Sequence, residues 1–190
     1  MRLNTINLAT GNRFFIVEDF FEKEQYTSIV ELFDQYTGEN PDWFEDPTYS
    51  HNYAGRMVYR GESAALARLQ ELAASSAIID WVSQTVGQRL EYVNLSLWLD
   101  LPGYQVLPHY DQSLFEYAVQ IYVPNPTNFW EMLGTCVYTD DTARVPLFEI
   151  HYHPNRGYLI DRTDTVKHGV NHAIPAQFRR QSVYLRYQIK

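Results

Sequence analysis

The side chains best suited to chemistry are two histidines and an aspartate in the second half of the chain. His109-Tyr110-Asp111 brings an imidazole and a carboxylate close together, and His168 follows in a later segment that reads as a strand. Two imidazoles and one carboxylate can occupy one face of an octahedral ferrous ion and leave three positions open. These residue types and their order fit a mononuclear non-haem iron site.

Other histidines compete for the metal. His172 lies close behind His168 and is a rival third ligand. His151 and His153 share one face of a predicted strand and could chelate a metal by themselves, although no carboxylate stands in register with them as Asp111 does with His109. From residue types alone these alternatives stay open.

A cation and a hydroxyl open the last strand-like run, Arg180-Gln181-Ser182, where they could hold an acidic cosubstrate. Arg179 stands beside Arg180, and a strand sends neighbouring side chains to opposite faces. Arg180 shares its face with Ser182 and Tyr184, whereas Arg179 shares its face with aliphatic residues. We therefore expect Arg180 to reach the pocket.

Bulk properties predict one domain over residues 1–190, with helical support and a long loop in 1–90 and a β core with the metal site in 91–190. No apolar run has the length of about 20 residues that a membrane span needs. The first residues do not form a signal peptide, which predicts a cytoplasmic protein. A lone Cys136 allows no internal disulfide, and the net charge of −8 argues against nucleic acid as a partner.

The first half of the chain reads as a strand and three helices around an irregular segment. Helical spacing covers Glu22 to Tyr36 and Glu62 to Ala74, and a third helix is capped by Ser76 and stops at Gly87. Between the first and second of these helices, the segment Gly38 to Gly61 has no hydrophobic periodicity and contains many aromatic rings, so it is interpreted as a long loop. Such a loop could be a lid over a site or a cover for the core.

Alternation dominates the second half of the chain. Aliphatic residues alternate with polar or aromatic ones in Tyr92–Asp100, Tyr117–Val123 and Arg180–Ile189. One face would pack on helices and the other would line a polar cavity. The prediction is a mostly β fold with flanking helices, a double-stranded β-helix or jelly roll with N-terminal helices packed on its outer face.

The order Pro102-Gly103, His109-x-Asp111, His168 and Arg180-x-Ser182 resembles the Fe(II)/2-oxoglutarate-dependent oxygenases, most closely their prolyl 4-hydroxylase-like branch. The resemblance runs from about Val93 to the C-terminus. His168-Gly169-Val170 matches a form frequent in that family, which favours His168 over His172 as the third ligand.

The resemblance implies that His109, Asp111 and His168 hold Fe(II) and that 2-oxoglutarate chelates the metal. The far carboxylate of 2-oxoglutarate would pair with Arg180, and the hydroxyls of Ser182 and Tyr122 would add hydrogen bonds. Dioxygen would be the oxidant, with ascorbate as a candidate reductant, and the product would be a hydroxylated substrate. Asp161 or Asp164 could orient the distal imidazole.

Departures from the family pattern concern the substrate. Asp100 stands where a tyrosine is frequent, and Gly134-Thr135 replaces a pair of glycines. A prolyl residue in a peptide, another amino acid or a small metabolite would all fit, and the oligomeric state is not indicated. The alternative is a cupin-like module that binds a metal or a small acid without oxidation.

Overall fold

Strands and three helices make up the part of the chain that the structure describes. The computed structural model describes residues 1–8, 11, 13–35, 42–45, 55–110, 116–125, 129–138, 145–160 and 166–190. The helices are α1 (Lys23–Asp34), α2 (Ala64–Ala73) and α3 (Ser76–Val86). The strands are β1 (Arg2–Asn7), β2 (Arg13–Glu18), β3 (Trp43–Glu45), β4 (Arg56–Tyr59), β5 (Leu90–Asp100), β6 (Val106–His109), β7 (Glu116–Tyr122), β8 (Thr135–Val137), β9 (Phe148–Ile150), β10 (Arg156–Ile160), β11 (His168–Val170) and β12 (Arg180–Ile189).

The strands form two antiparallel sheets. The larger sheet has eight strands in the order β1-β2-β10-β7-β12-β5-β4-β3, and the smaller has four in the order β6-β11-β8-β9. The C-terminal strand β12 lies near the centre of the larger sheet, between β7 and β5. The chain is therefore mostly β, as its alternation predicts.

Two hydrophobic clusters lie against the larger sheet. The first joins the helices to the sheet, since Ile29, Leu69 and Val82 of the three helices belong to the same cluster as Leu97 of β5 and Val183 of β12. The second joins the two sheets. Its members from the larger sheet are Phe14, Tyr122, Tyr158 and Ile160, and those from the smaller sheet are Val106, Val137, Ile150 and Val170.

The predicted alternation of β5 is confirmed from Leu95 to the end of the strand, but it breaks closer to the start of the strand. Leu95 and Leu97 are buried in the helix-facing cluster, but Val93 is 36% exposed. The register between β5 and β12 shifts at this point, because Arg186 pairs with Asn94 whereas Tyr187 pairs with Tyr92. Such a bulge leaves one residue unpaired and moves the next side chain to the other face, so Tyr92 packs where Val93 was expected.

The predicted loop over Gly38 to Gly61 contains two strands, which corrects the sequence interpretation. β3 pairs with β4, and β4 pairs with β5, so this segment extends the larger sheet. Trp43 is buried against the rings of Phe33 and Tyr59, as expected of a core residue and not of a lid. Strands this short show too little alternation to be recognised. The rings at Tyr49, His51 and Tyr53 lie outside the described residues.

Ser75, not Ser76, caps α3, because its Oγ accepts a hydrogen bond from the Ile78 amide, while Gly87 ends the helix with a φ of 74° as predicted. Cys136 is buried in β8, and burial together with the nearby Glu149 raises the pKa of its thiol to about 11. None of the described helices is long and apolar enough to cross a membrane.

The helix-facing cluster should carry much of the stability. Leu97 is 1% exposed, so we expect Leu97→Ala to lower the free energy of unfolding by about 2–5 kcal/mol through lost burial and the cavity left behind. Val93→Ala, in the same strand but at the bulge, should cost less than about 1 kcal/mol. Urea denaturation measures both values, and equal losses would contradict the assignment of the two faces.

Candidate functional site

His109 and His168 face each other across the smaller sheet. His109 ends β6, His168 begins β11, and the two are directly paired in the register of these antiparallel strands. Their ring centroids are 4.7 Å apart. The structure thus brings together two of the three predicted metal ligands, while the third, Asp111, lies outside the described residues.

The same backbone contact orients both imidazoles. His109 Nδ1 lies 2.9 Å from the Leu107 carbonyl oxygen, and His168 Nδ1 lies 3.0 Å from the Val166 carbonyl oxygen. A carbonyl can only accept, so Nδ1 of each ring is the donor, and in the neutral imidazole the lone pair then lies on Nε2. Neutral imidazoles whose other nitrogen donates to a carbonyl are the form that binds metals. The pair therefore fits a divalent transition metal.

The rival His172 lies elsewhere. Its half-buried ring packs near Trp130, with 5.5 Å between the ring centroids, and it is not among the described residues that line the cavity beside His109 and His168. Asp161 and Asp164, the candidate orienting acids, lie outside the described residues. One partner that orients His168 is the Val166 backbone carbonyl.

A cavity lies between the two sheets. Both imidazoles line it, and so does Arg180. None of its described lining residues is acidic. The full lining comprises Arg56, Trp98, Tyr104, Val106, His109, Ala118, Gln120, Thr135, Tyr158, Ile160, His168, Gly169, Val170, Arg180 and Tyr184.

Arg180 is held rigidly at the cavity wall and is 2% exposed. Its Nε donates to the Leu133 carbonyl at 2.8 Å, its Nη1 to Asp100 Oδ2 at 2.9 Å and its Nη2 to Thr135 Oγ1 at 3.1 Å. Burial by itself lowers the pKa of this guanidinium, but Asp100 and the nearby phenols of Tyr122, Tyr158 and Tyr104 together outweigh burial and hold the pKa above its ordinary value. Its neighbour Arg179 is exposed.

Asp100 binds a second buried arginine, which the sequence analysis missed. Arg56 donates to both Asp100 oxygens, with Nε at 2.7 Å from Oδ1 and Nη2 at 3.0 Å from Oδ2. Asp100 is the cross-strand partner of both Arg56 and Arg180, so the three charges form a row across β4, β5 and β12. One carboxylate thus serves two guanidinium groups at one end of the cavity. The sequence signal was weak, because Arg56 stands in a strand of four residues.

Aromatic rings cover the Arg56 side of the cavity. The Arg56 guanidinium carbon lies 4.0 Å from the centre of the Trp98 ring, and Trp98 stacks on Tyr184 with 4.0 Å between centroids. A guanidinium over the face of an indole is favourable, more so when water is excluded.

The two predicted hydroxyl donors make hydrogen bonds within the protein. Tyr122 OH donates to Thr135 Oγ1 at 2.8 Å and accepts from the Thr135 amide at 2.9 Å, and burial raises the pKa of this phenol. Ser182 Oγ accepts from Gln120 Nε2 at 2.8 Å, and Gln120 Oε1 accepts from Tyr158 OH. Neither Tyr122 nor Ser182 is among the described residues that line the cavity.

The departure at Gly134-Thr135 has a structural role. A Cβ on Gly134 would lie 1.6 Å from the Ile150 carbonyl oxygen, so no side chain fits there. Thr135 is 2% exposed, and its hydroxyl accepts from both Arg180 and Tyr122. The threonine adds an anchor for Arg180 that a glycine could not supply.

A second group of metal-ligating side chains lies apart from this cavity. Glu131, His151 and His153 place one ligand atom each within 4.8 Å of the others. None of them lines the cavity of His109 and His168. His151 and His153 are the pair that the sequence placed on one strand, but they follow the end of β9 at Ile150. The carboxylate that seemed to be missing comes from Glu131, which is distant in the chain.

Solved structures share this architecture. A prolyl-4-hydroxylase from Pseudomonas putida matches 93% of this chain and 92% of its own, with a TM-score of 0.65 and 13% identity. HygX from Streptomyces hygroscopicus, crystallised with nickel and 2-oxoglutarate, matches 93% of this chain and 83% of its own, with a TM-score of 0.65 and 13% identity. The chain shares the jelly-roll fold of these oxygenases.

Not every protein with this fold is a hydroxylase. SnoN, a non-haem α-ketoglutarate-dependent epimerase from nogalamycin biosynthesis, matches 93% of this chain and 78% of its own, with a TM-score of 0.64 and 12% identity.

No protein-family model matches the sequence. No curated protein matches it either.

The shared carboxylate yields a stability prediction. Asp100→Asn keeps the shape but removes the charge between Arg56 and Arg180, and breaking a buried ion pair typically costs about 3–5 kcal/mol. We expect that loss in the free energy of unfolding, measured by urea denaturation. Asp80→Asn, at an exposed position of α3, should change it by less than about 0.5 kcal/mol. A small effect of Asp100→Asn would contradict the role of the ion row.

Proposed function

We propose that this protein is an Fe(II)- and 2-oxoglutarate-dependent dioxygenase that hydroxylates a small-molecule or peptide substrate, in which a prolyl or other amino-acid residue is one candidate acceptor. The observation that carries the proposal is a single cavity with two metal-competent imidazoles in one sheet and a buried arginine in the other. This pairing supports a metal at one end and an acid at the other.

His109 and His168 would hold the iron through Nε2, with Asp111 as the carboxylate ligand. Their Nδ1 contacts to the Leu107 and Val166 carbonyls orient both rings before the metal arrives. Fixing ligand orientation in advance raises affinity for the metal. Bound iron would supply the dioxygen chemistry that decarboxylates 2-oxoglutarate to succinate and transfers oxygen to the substrate.

Arg180 would bind the far carboxylate of 2-oxoglutarate. Leu133, Asp100 and Thr135 hold three of its nitrogens, which leaves further N–H groups on Nη1 and Nη2 for a ligand. Since Asp100 is shared with Arg56, this end of the cavity favours an added anion. Ser182 and Tyr122 would act here through Gln120 and Thr135, their present partners.

Arg56, Trp98 and Tyr184 extend the cavity wall beyond the arginine and would meet the substrate. A stacked indole and phenol offer a flat apolar surface, and the guanidinium beside them adds a positive charge. The likeness to an epimerase as well as to hydroxylases makes product analysis the step that assigns the reaction.

The arginine assignment is tested with a matched pair of substitutions. Arg180→Lys keeps the charge but loses the planar fork that binds carboxylates, so we expect the dissociation constant for 2-oxoglutarate to rise at least about tenfold. Arg179→Lys, on the exposed neighbour, should leave it unchanged. Calorimetry on the metal-loaded proteins gives both constants. If only Arg179→Lys raised the dissociation constant for 2-oxoglutarate, the register assigned to this strand would be wrong by one residue.

The metal assignment is tested with His168→Ala and His172→Ala. His168→Ala removes one of three protein ligands and should abolish iron binding at the cavity. His172→Ala should retain iron binding there. The charge-transfer absorbance that 2-oxoglutarate produces on chelating Fe(II) reports the cavity iron alone. Succinate formation in the same samples separates an oxygenase from a cupin-like binding module, which would bind both ligands without turnover.

A further inference from the structure

We propose that Glu131, His151 and His153 form a second metal site, specific for a divalent transition ion and separate from the cavity. The ligand atoms already converge. His151 Nδ1 lies 3.8 Å from Glu131 Oε2, and His153 Nε2 lies 3.6 Å from Glu131 Oε1. Zinc bonds of about 2.0–2.2 Å in tetrahedral geometry separate neighbouring ligand atoms by roughly 3.4 Å. Small side-chain rotations therefore suffice to bind an ion.

The backbone holds the ligands in place without a metal. The Tyr152 amide donates to the Glu131 carbonyl at 2.8 Å, which ties the 3₁₀ turn Glu131–Leu133 to the segment after β9. Tyr152 is fully buried, so His151 and His153, its neighbours on either side, both point outward. The ring of His153 also packs on Phe129, with 5.8 Å between centroids. These contacts reduce the conformational freedom that binding would otherwise remove.

The donor set selects the ion. Two imidazoles and one carboxylate suit zinc, nickel and copper, whereas magnesium and calcium prefer a shell of oxygen atoms. All three ligands are accessible, with side-chain exposures of 54% for Glu131, 49% for His151 and 31% for His153. A fourth position therefore remains open to water, and the ion can enter from solvent.

The site adjoins the anchors of Arg180 without touching the cavity. Leu133 ends the same 3₁₀ turn and accepts a hydrogen bond from Arg180 Nε. Tyr152 OH accepts from the Gln181 amide at 2.6 Å. An ion bound to Glu131, His151 and His153 would join two segments that both contact the start of β12. It would thus stabilise the wall opposite the two cavity histidines.

Zinc stoichiometry tests the proposal, because zinc binds without redox chemistry. Equilibrium dialysis should find one zinc ion fewer on His151→Ala and on His153→Ala than on the unmodified protein, with Glu131→Gln weakening that ion at least about tenfold. His172→Ala, which removes a half-buried histidine outside the cluster, should match the unmodified protein. Equal zinc on the His151→Ala, His153→Ala and unmodified proteins overturns the proposal.

A second measurement separates this site from the cavity. In a His109→Ala background, which weakens the cavity site, zinc at 100 times its dissociation constant should raise the melting temperature by about 5–10 °C. Adding His153→Ala should remove that shift. A shift that survives His153→Ala means the ion binds elsewhere and overturns the proposal, whether or not the cavity supports 2-oxoglutarate turnover.

Discussion

The fully buried carboxylate of Asp100, shared by Arg56 and Arg180, constrains the structure around it. The three residues pair directly across β4, β5 and β12, so their charges meet only when both strand registers are correct. A shift by one residue in either pair would turn a charged side chain into the apolar cluster beneath the helices, where an unpaired charge is very costly. The ion row thus ties the register of three neighbouring strands to the shape of the cavity.

The two faces of the larger sheet therefore have different roles. Its helix-facing side is aliphatic and supplies stability, with Leu97 and Val183 packed among residues from all three helices. Its other side carries the charged row and faces the smaller sheet, where His109 and His168 lie. A rigid apolar layer behind polar side chains keeps them in place, which is what preorganised binding of a small charged ligand requires.

The sequence predicted the parts of this structure that repeat over many residues. Alternation was long enough in β5, β7 and β12 to assign both faces. The residues singled out as His109, His168 and Arg180 line one cavity. β3 and β4 were missed because they have three and four residues.

Arg56 and the Glu131 cluster could not be predicted from the sequence for a different reason. Their partners are distant in the chain, since Asp100 follows Arg56 by 44 positions, and only the folded structure brings them together. Spacing rules recognise ligands that are two residues apart, such as His151 and His153, but carry no information about a third group from another segment. The bulge at Val93 is likewise set by pairing with β12 and leaves no local pattern.

The burial of Cys136 affects how this protein would tolerate an oxidising environment. Its strand, β8, lies directly beside β11, with Cys136 paired to Gly169, next to His168. Burial and the nearby Glu149 raise the pKa of the thiol to about 11, so the reactive thiolate is scarce at neutral pH. The thiol of Cys136, the only cysteine in the sequence, is therefore poorly reactive. A pair of cysteines introduced on the surface, one in each sheet, could then be labelled selectively, so distances between the two sheets become accessible to spectroscopy.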